Sequence, residues 1–229
     1  MLKILACIFM LIDHIGVAFF PNTVEWRLIG RLSMPLFAYA IARGAHFTHD
    51  RKKYIIRIAI LAALSQIPFA LFLKIPLFSN LNICFTWLFA LLIIELKENK
   101  NIKKFLNVFL MFLLFLITTF IKMDYGLYAV LLTLIFYYFG IKTNQFIIIM
   151  PLYLLVSITP IITGCLQSFS MAGIKSLIYL AVFQLTSIIS LPPIKYISPY
   201  DKKLTINKYV FYWFYPVHMA LIAGISYLL

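Results

Sequence analysis

Apolar stretches long enough to cross a lipid bilayer recur from Leu2 to Leu229, separated only by short polar gaps. A membrane-crossing helix needs about 20 apolar residues at a rise of about 1.5 Å each. That requirement selects nine candidate spans, near 2–20, 29–46, 54–73, 81–96, 105–121, 125–140, 145–163, 173–191 and 209–228. Composition agrees, with 64% hydrophobic and 12% charged residues and a mean hydropathy of +1.00. A soluble domain is about half apolar and about a quarter charged. The reading is an all-α, polytopic integral membrane protein in which 1–229 form one transmembrane helical domain, with no room for a separate soluble one.

The formal net charge of +13 does not point to nucleic acid, because the basic residues sit in gaps such as "HDRKK" and "KENKNIKK". Counting alternate gaps together puts fifteen Lys and Arg on the face of the N-terminus and five on the other: Arg27, Arg31, Lys74, Lys122 and Lys175. Under the positive-inside rule the N-terminus is cytoplasmic and the C-terminus outside. The apolar run after Lys3 resembles a signal peptide, but Asp13 and His14 interrupt it and no clean cleavage site follows, so it reads as a retained first helix. Cys7, Cys84 and Cys165 are scattered in apolar segments with neither a disulfide framework nor metal-ligand spacing.

Ionisable residues inside apolar spans are costly and tend to face interior sites. Asp13 and His14 of the first span and His218 of the last come out near mid-membrane by residue count, and they can meet if those two spans pack together. Helical spacing aligns Phe211, Tyr215 and His218 on one face, loosened by Pro216. Gln66 also falls near mid-depth, beside Pro68. Arg31 lies one short hairpin from Asp13, so an Asp13–Arg31 pair would reduce the cost of burying each. Asn82, Asp124 and Tyr125 fall at the outer ends of their spans and complete a candidate substrate region with Tyr215 and Gln66. On the cytoplasmic side, Arg43, Arg51, Lys52, Lys53 and Arg57 form a basic cluster. It suits lipid headgroups, and equally the phosphates of a nucleotide-bearing cofactor.

The strings "IDHIG", "GRLSMPLFAYAIARG", "SQIPFALF", "LNICFTWL", "DYG" and "FYPVHM" resemble, in order and spacing, the TraX family of bacterial membrane proteins, named for acetylation of conjugative pilin. That family is in turn similar to the transmembrane acyltransferases, which pass an acyl group from cytosolic acyl-CoA to an acceptor at or beyond the membrane. The resemblance implies a reactive centre containing Asp13 and His14, functional weight for Arg31, Asn82, Asp124 and His218, and acetyl-CoA as acyl donor. The acceptor is not inherited from the family name; a peptide, a glycan or another cell-envelope molecule offering an amine or hydroxyl all fit. In the expected chemistry His14 is the general base. Arg31 or Asn82 stabilises the oxyanion. His218 serves as a second base or binds the thioester, and the basic cluster holds the CoA phosphates. Two other classes fit the residues: a transporter with an Asp/His relay at mid-membrane, and a scaffold whose polar residues only join helices.

Overall fold

In the computed structural model, residues 1–142, 145–160, 162, 185–197 and 207–228 are described. Among them the regular structure is helical, with one isolated bridge, Leu81 to Met123. The helices are α1 (Leu2–Phe19), α2 (Val24–Gly30), α3 (Ser33–Phe47), α4 (Arg51–Leu73), α5 (Ile83–Glu98), α6 (Lys104–Phe120), α7 (Gly126–Ile135), α8 (Phe146–Val156), α9 (Leu191–Ile197) and α10 (Lys208–Leu228). A π-helical stretch, Phe136–Lys142, continues α7, and a 3-10 turn, Ser187–Ser190, precedes α9. Helices α1 and α4 are long and apolar enough to cross a membrane.

The second expected span, 29–46, is α3, which begins only at Ser33, and a separate short helix, α2, precedes it. Proline lacks an amide hydrogen and is accommodated most readily in a helix's first turn. Beginning α3 at Ser33 puts Pro35 there, so the chain breaks after Gly30 and α2 becomes a separate short helix. Two glycines let α2 fold back onto α1. A Cβ at Gly16 would lie 2.3 Å from the Trp26 Cβ, and one at Gly30 would lie 2.2 Å from the Asp13 Oδ1. Phe20 and Trp26 stack with ring centroids 5.1 Å apart across the same hairpin. The expected span over 145–163 contains the shorter α8, closed by the Ser157 hydroxyl donating to the Tyr153 carbonyl at 2.8 Å. Residues 173–184 of the expected eighth span, and Cys165, lie outside the described residues.

Helix α1 packs on α2, α3 and α10, while α4 packs on α5 and α10, and α7 on α3 and α5. The first and last helices are thus neighbours. Close approach at α3 rests on Ala38, Ala42 and Ala45, all fully buried; small residues permit tight helix contact. A second buried device joins α7, α8 and the 3-10 turn: the Tyr128 hydroxyl donates to Tyr153 at 3.0 Å, and both hydroxyls contact the Ser187 hydroxyl. Helix α6 stands at the periphery, burying Thr118 and exposing Phe105, Phe109 and Phe112.

The basic gaps collect at one end of the bundle. Arg51, in the first turn of α4, bonds Glu95 near the end of α5 at 3.1 Å. Lys3 at the start of α1 and Arg43 near the end of α3 line one cavity at that end. The other end carries the α1–α2, α4–α5 and α6–α7 connections, and there the polar residues of the first and last helices gather.

Candidate functional site

The largest described cavity, about 330 Å³, opens at this second end between α1, α2, α3, α4, α5 and α10. Asp13, His14, Arg27, Arg31, Asp124 and Tyr125 line it, with Tyr215 and Trp87 at its base. Asp13 lies six residues before the end of α1, about 9 Å at helical rise.

The centre is a histidine pair. His14 Nδ1 lies 2.7 Å from His218 Nε2. The ring planes differ by 3° with centroids 4.9 Å apart, so the rings meet edge to edge and the hydrogen bond lies in both planes. The tautomers follow from the other contacts. His218 Nδ1 is 2.6 Å from the Phe214 carbonyl, which can only accept, so that nitrogen carries the proton. His218 Nε2 then accepts, and His14 Nδ1 donates to it. The remaining nitrogen of His14, Nε2, is left with a lone pair. Only His14 of the two lines the cavity; His218 is buried behind it. Phe214 stacks on His218 at 4.7 Å and Phe72 tilts against His14 at 5.0 Å, which fixes both rings. An imidazole held this way is arranged to take a proton from a group in the cavity.

The ion pair here is not the expected one. Asp13 Oδ2 accepts from Arg27 at 3.2 Å, whereas Arg31 donates to the Tyr125 hydroxyl at 3.1 Å and lies over its ring at 5.5 Å. The reason is helical spacing: Arg27 and Arg31 are four residues apart, so both point into the cavity from the α2 side. Sequence reasoning counted Arg27 only toward orientation; its i,i+4 relation to Arg31 was the available signal. Asp13 Oδ1 and Arg31 Nε have no hydrogen-bond partner although buried, so the site retains unsatisfied polar capacity.

Asp124 and Tyr125 arrive on a constrained turn. The Asp124 amide donates to the Leu81 carbonyl at 2.8 Å and its own carbonyl accepts from the Thr86 hydroxyl at 2.9 Å. Tyr125 is left-handed at φ 58°, followed by Gly126 at φ 41°. A non-glycine residue in that region is uncommon and marks a place where surroundings impose the conformation. Burial pushes the Asp124 carboxyl up to about 6, with Arg31 pulling the other way.

Gln66 and Asn82 do not reach the cavity. The Gln66 amide donates to the Leu77 and Asn80 carbonyls at 2.6 and 2.8 Å, and its oxygen accepts from both the backbone and side-chain nitrogens of Asn82 at 3.0 and 2.9 Å. Asn82 also donates to the Ala62 carbonyl and caps α5 at the Cys84 amide. Every polar atom of the two side chains is used in closing the α4–α5 loop. Neither is positioned to touch a substrate or an oxyanion, because the loop's own backbone groups claim them.

The basic cluster also divides. Arg43 lines a cavity of about 300 Å³ at the opposite end with Lys3. Arg51 is taken by Glu95 and the Ala45 carbonyl, Lys53 pairs with the helix-capping Asp50 at 3.3 Å, and Arg57 lies over Tyr54. Lys52 is exposed. Of the five, only Arg43 lines a described cavity. Among the described residues no cluster of His, Cys, Asp and Glu could hold a metal ion.

The chain matches the family described as TraX protein over residues 1–226. It belongs to the TraX family. It is also 26% identical to a probable fimbrial assembly protein, FimC of serogroup H1, from Dichelobacter nodosus, over 97% of this chain and 93% of that protein. A segment covering 36% of this chain and 32% of an uncharacterized Rickettsia prowazekii (strain Madrid E) protein is 39% identical. No solved structure matches.

Proposed function

We propose that this TraX-family chain is a multi-pass membrane acetyltransferase, taking an acetyl group from acetyl-CoA and placing it on an amine or hydroxyl acceptor. The observation that carries the reading is the His14–His218 pair, whose hydrogen bonds leave His14 Nε2 as a base facing a cavity of about 330 Å³ lined by two arginines. In this mechanism the acceptor nitrogen or oxygen attacks the thioester carbonyl while His14 Nε2 removes its proton. The tetrahedral oxyanion forms beside Arg27 and Arg31, whose fixed positive charge favours it. Collapse breaks the carbon–sulfur bond, and the departing CoA thiolate takes the proton back from His14. His218 is a positioning residue, and Asp13 holds Arg27 in place.

The membrane part of the proposal rests on α1 and α4, on the further apolar helices Lys104–Phe120, Gly126–Ile141 and Ile147–Val156, and on the outward-facing phenylalanines of α6. Nine crossings, with the basic end cytoplasmic, place the histidine pair toward the outer face of the cell membrane. The name of the Dichelobacter relative makes a subunit of a surface fibre one candidate acceptor among cell-envelope molecules. The test is to incubate membranes containing the protein with acetyl-labelled acetyl-CoA: label appears in an envelope product only when the protein is present. Membranes that bind CoA but transfer nothing, or proteoliposomes that instead move protons or solute, overturn it.

A further inference from the structure

Three cavities follow one another along α1, each sharing lining residues with the next. The outer one, of about 330 Å³, shares Met10, Phe37, Trp87 and Tyr215 with a narrow middle one of about 80 Å³. The middle one shares Lys3 and Ala40 with the chamber of about 300 Å³ at the basic end. Along α1 the three are marked by His14, Met10 and Lys3 in turn, a path of about 16 Å at helical rise. The ends differ in chemistry. One carries the base and the acid–arginine set, and the other carries the cations Lys3 and Arg43.

Two buried polar groups stand at the narrowing. Trp87 and Tyr215 are 5% and 4% exposed, and both line the outer and the middle cavity. Neither the indole N–H nor the phenol hydroxyl has a hydrogen-bond partner; the hydroxyl lies toward the Ile83 amide without meeting hydrogen-bond geometry. Unpaired buried polar groups are rare and costly in folded proteins, and here two belong to residues of different helices that line one waist. An indole only donates, while a phenol hydroxyl donates and accepts. A secondary amide, with one carbonyl and one N–H, satisfies both together.

We infer that the waist is a binding site for an amide group within a narrow, extended arm, whose anionic end rests against Lys3 and Arg43 and whose reactive end reaches His14. The inference rests on the acyl-donor reading above, for the acyl-carrying arm of coenzyme A has this form: a thioester, two secondary amides joined by short unbranched linkers, a pantoyl unit bearing a hydroxyl and two methyls, then phosphates. Trp87 and Tyr215 then recognise the arm, so they select the carrier and leave the acetyl group and acceptor to the outer cavity. A purely apolar occupant such as a lipid tail leaves the two groups unsatisfied.

The test uses the purified full chain in lipid nanodiscs with three probes: acetyl-CoA, S-acetylpantetheine, which lacks the anionic end, and adenosine 3′,5′-bisphosphate, which lacks the arm. Tyr215→Phe and Trp87→Phe each weaken acetyl-CoA and S-acetylpantetheine by about 5- to 10-fold, the worth of one hydrogen bond, and leave the bisphosphate unchanged. Ala40→Phe, at the lower junction, abolishes acetyl-CoA binding. Equal thermal stability of the three variants and the parent establishes that the fold is kept. If the parent does not bind acetyl-CoA, the donor reading and this inference fall together. If the parent binds it and all three variants bind it equally well, the placement of the arm is overturned while the donor reading stands. A bound lipid that acetyl-CoA does not displace from the parent also overturns the placement.

Discussion

Replacing His218 with Leu removes the acceptor for His14 Nδ1–H, at 2.7 Å, without opening a large void. A buried donor left without a partner costs about 1–3 kcal/mol, and His14 can recover part of it only by turning its ring or moving its proton to Nε2. Either change takes the lone pair away from the cavity. At about 1.4 kcal/mol per tenfold, the expected loss in acetyl transfer is about 5- to 150-fold. It should fall on kcat, because the hydrogen bond strengthens when His14 becomes positively charged during transfer and His218 does not line the cavity. His218→Gln, which can still present an oxygen toward Nδ1, should recover part of the loss. The assay is steady-state transfer from labelled acetyl-CoA with the two single variants, the rescue variant and His14→Ala combined with His218→Leu. Because His218 acts through His14, the double variant should be no slower than His14→Ala alone; groups acting as a unit show this non-additivity. A double variant whose loss is the product of the two single losses, or a fully active His218→Leu, refutes the positioning role.

Asn82→Ala removes the donor to the Ala62 carbonyl, one of the two donors to the Gln66 oxygen and the cap on the Cys84 amide, so unfolding should become easier by about 2–3 kcal/mol, measured by denaturant titration, with acetyl-CoA affinity unchanged. The Asp124 carboxyl titrates higher in the folded chain, about 6, than its ordinary 3.8; the folded state therefore holds the proton more tightly between those values. Thermal stability should fall as pH rises from about 4 to 6 and then level off, and Asp124→Asn should remove that decline in a melting series. Gly30→Ala places a methyl 2.2 Å from Asp13 Oδ1. It should displace α2 and Arg27 and lower transfer at least tenfold, with Gly30→Ser no better.

The apolar periodicity made the helical class and most helix positions legible, because bilayer-length runs leave few alternatives. It could not show the break between α2 and α3, which depends on whether Pro35 sits inside one helix or opens another, and both options preserve the hydrophobic pattern. The encounter of His14 with His218 required only that the first and last helices be neighbours. That is a matter of tertiary packing, but residue type and depth had already made the two histidines candidates. Gln66 and Asn82 carried a misleading signal: a buried amide looks the same in sequence whether it waits for a ligand or ties a loop. Arg51 was similarly ambiguous, since its partner Glu95 lies 44 residues away, whereas the partner of Lys53, Asp50, is only three residues before it and was signalled by its place at the start of a helix. Tyr215 was marked in the sequence by its helical alignment with His218, but Trp87 gave no signal distinct from ordinary aromatic packing; only its lack of a hydrogen-bond partner separates it.

The central claim is that His14 Nε2 is the base of an acetyl transfer. The most direct measurement is label transfer from acetyl-CoA into envelope products by membranes holding equal amounts of the parent protein and of His14→Ala. The expected result is a labelled product with the parent and none above background with the variant, while both bind acetyl-CoA alike. Undiminished labelling with His14→Ala would contradict the account.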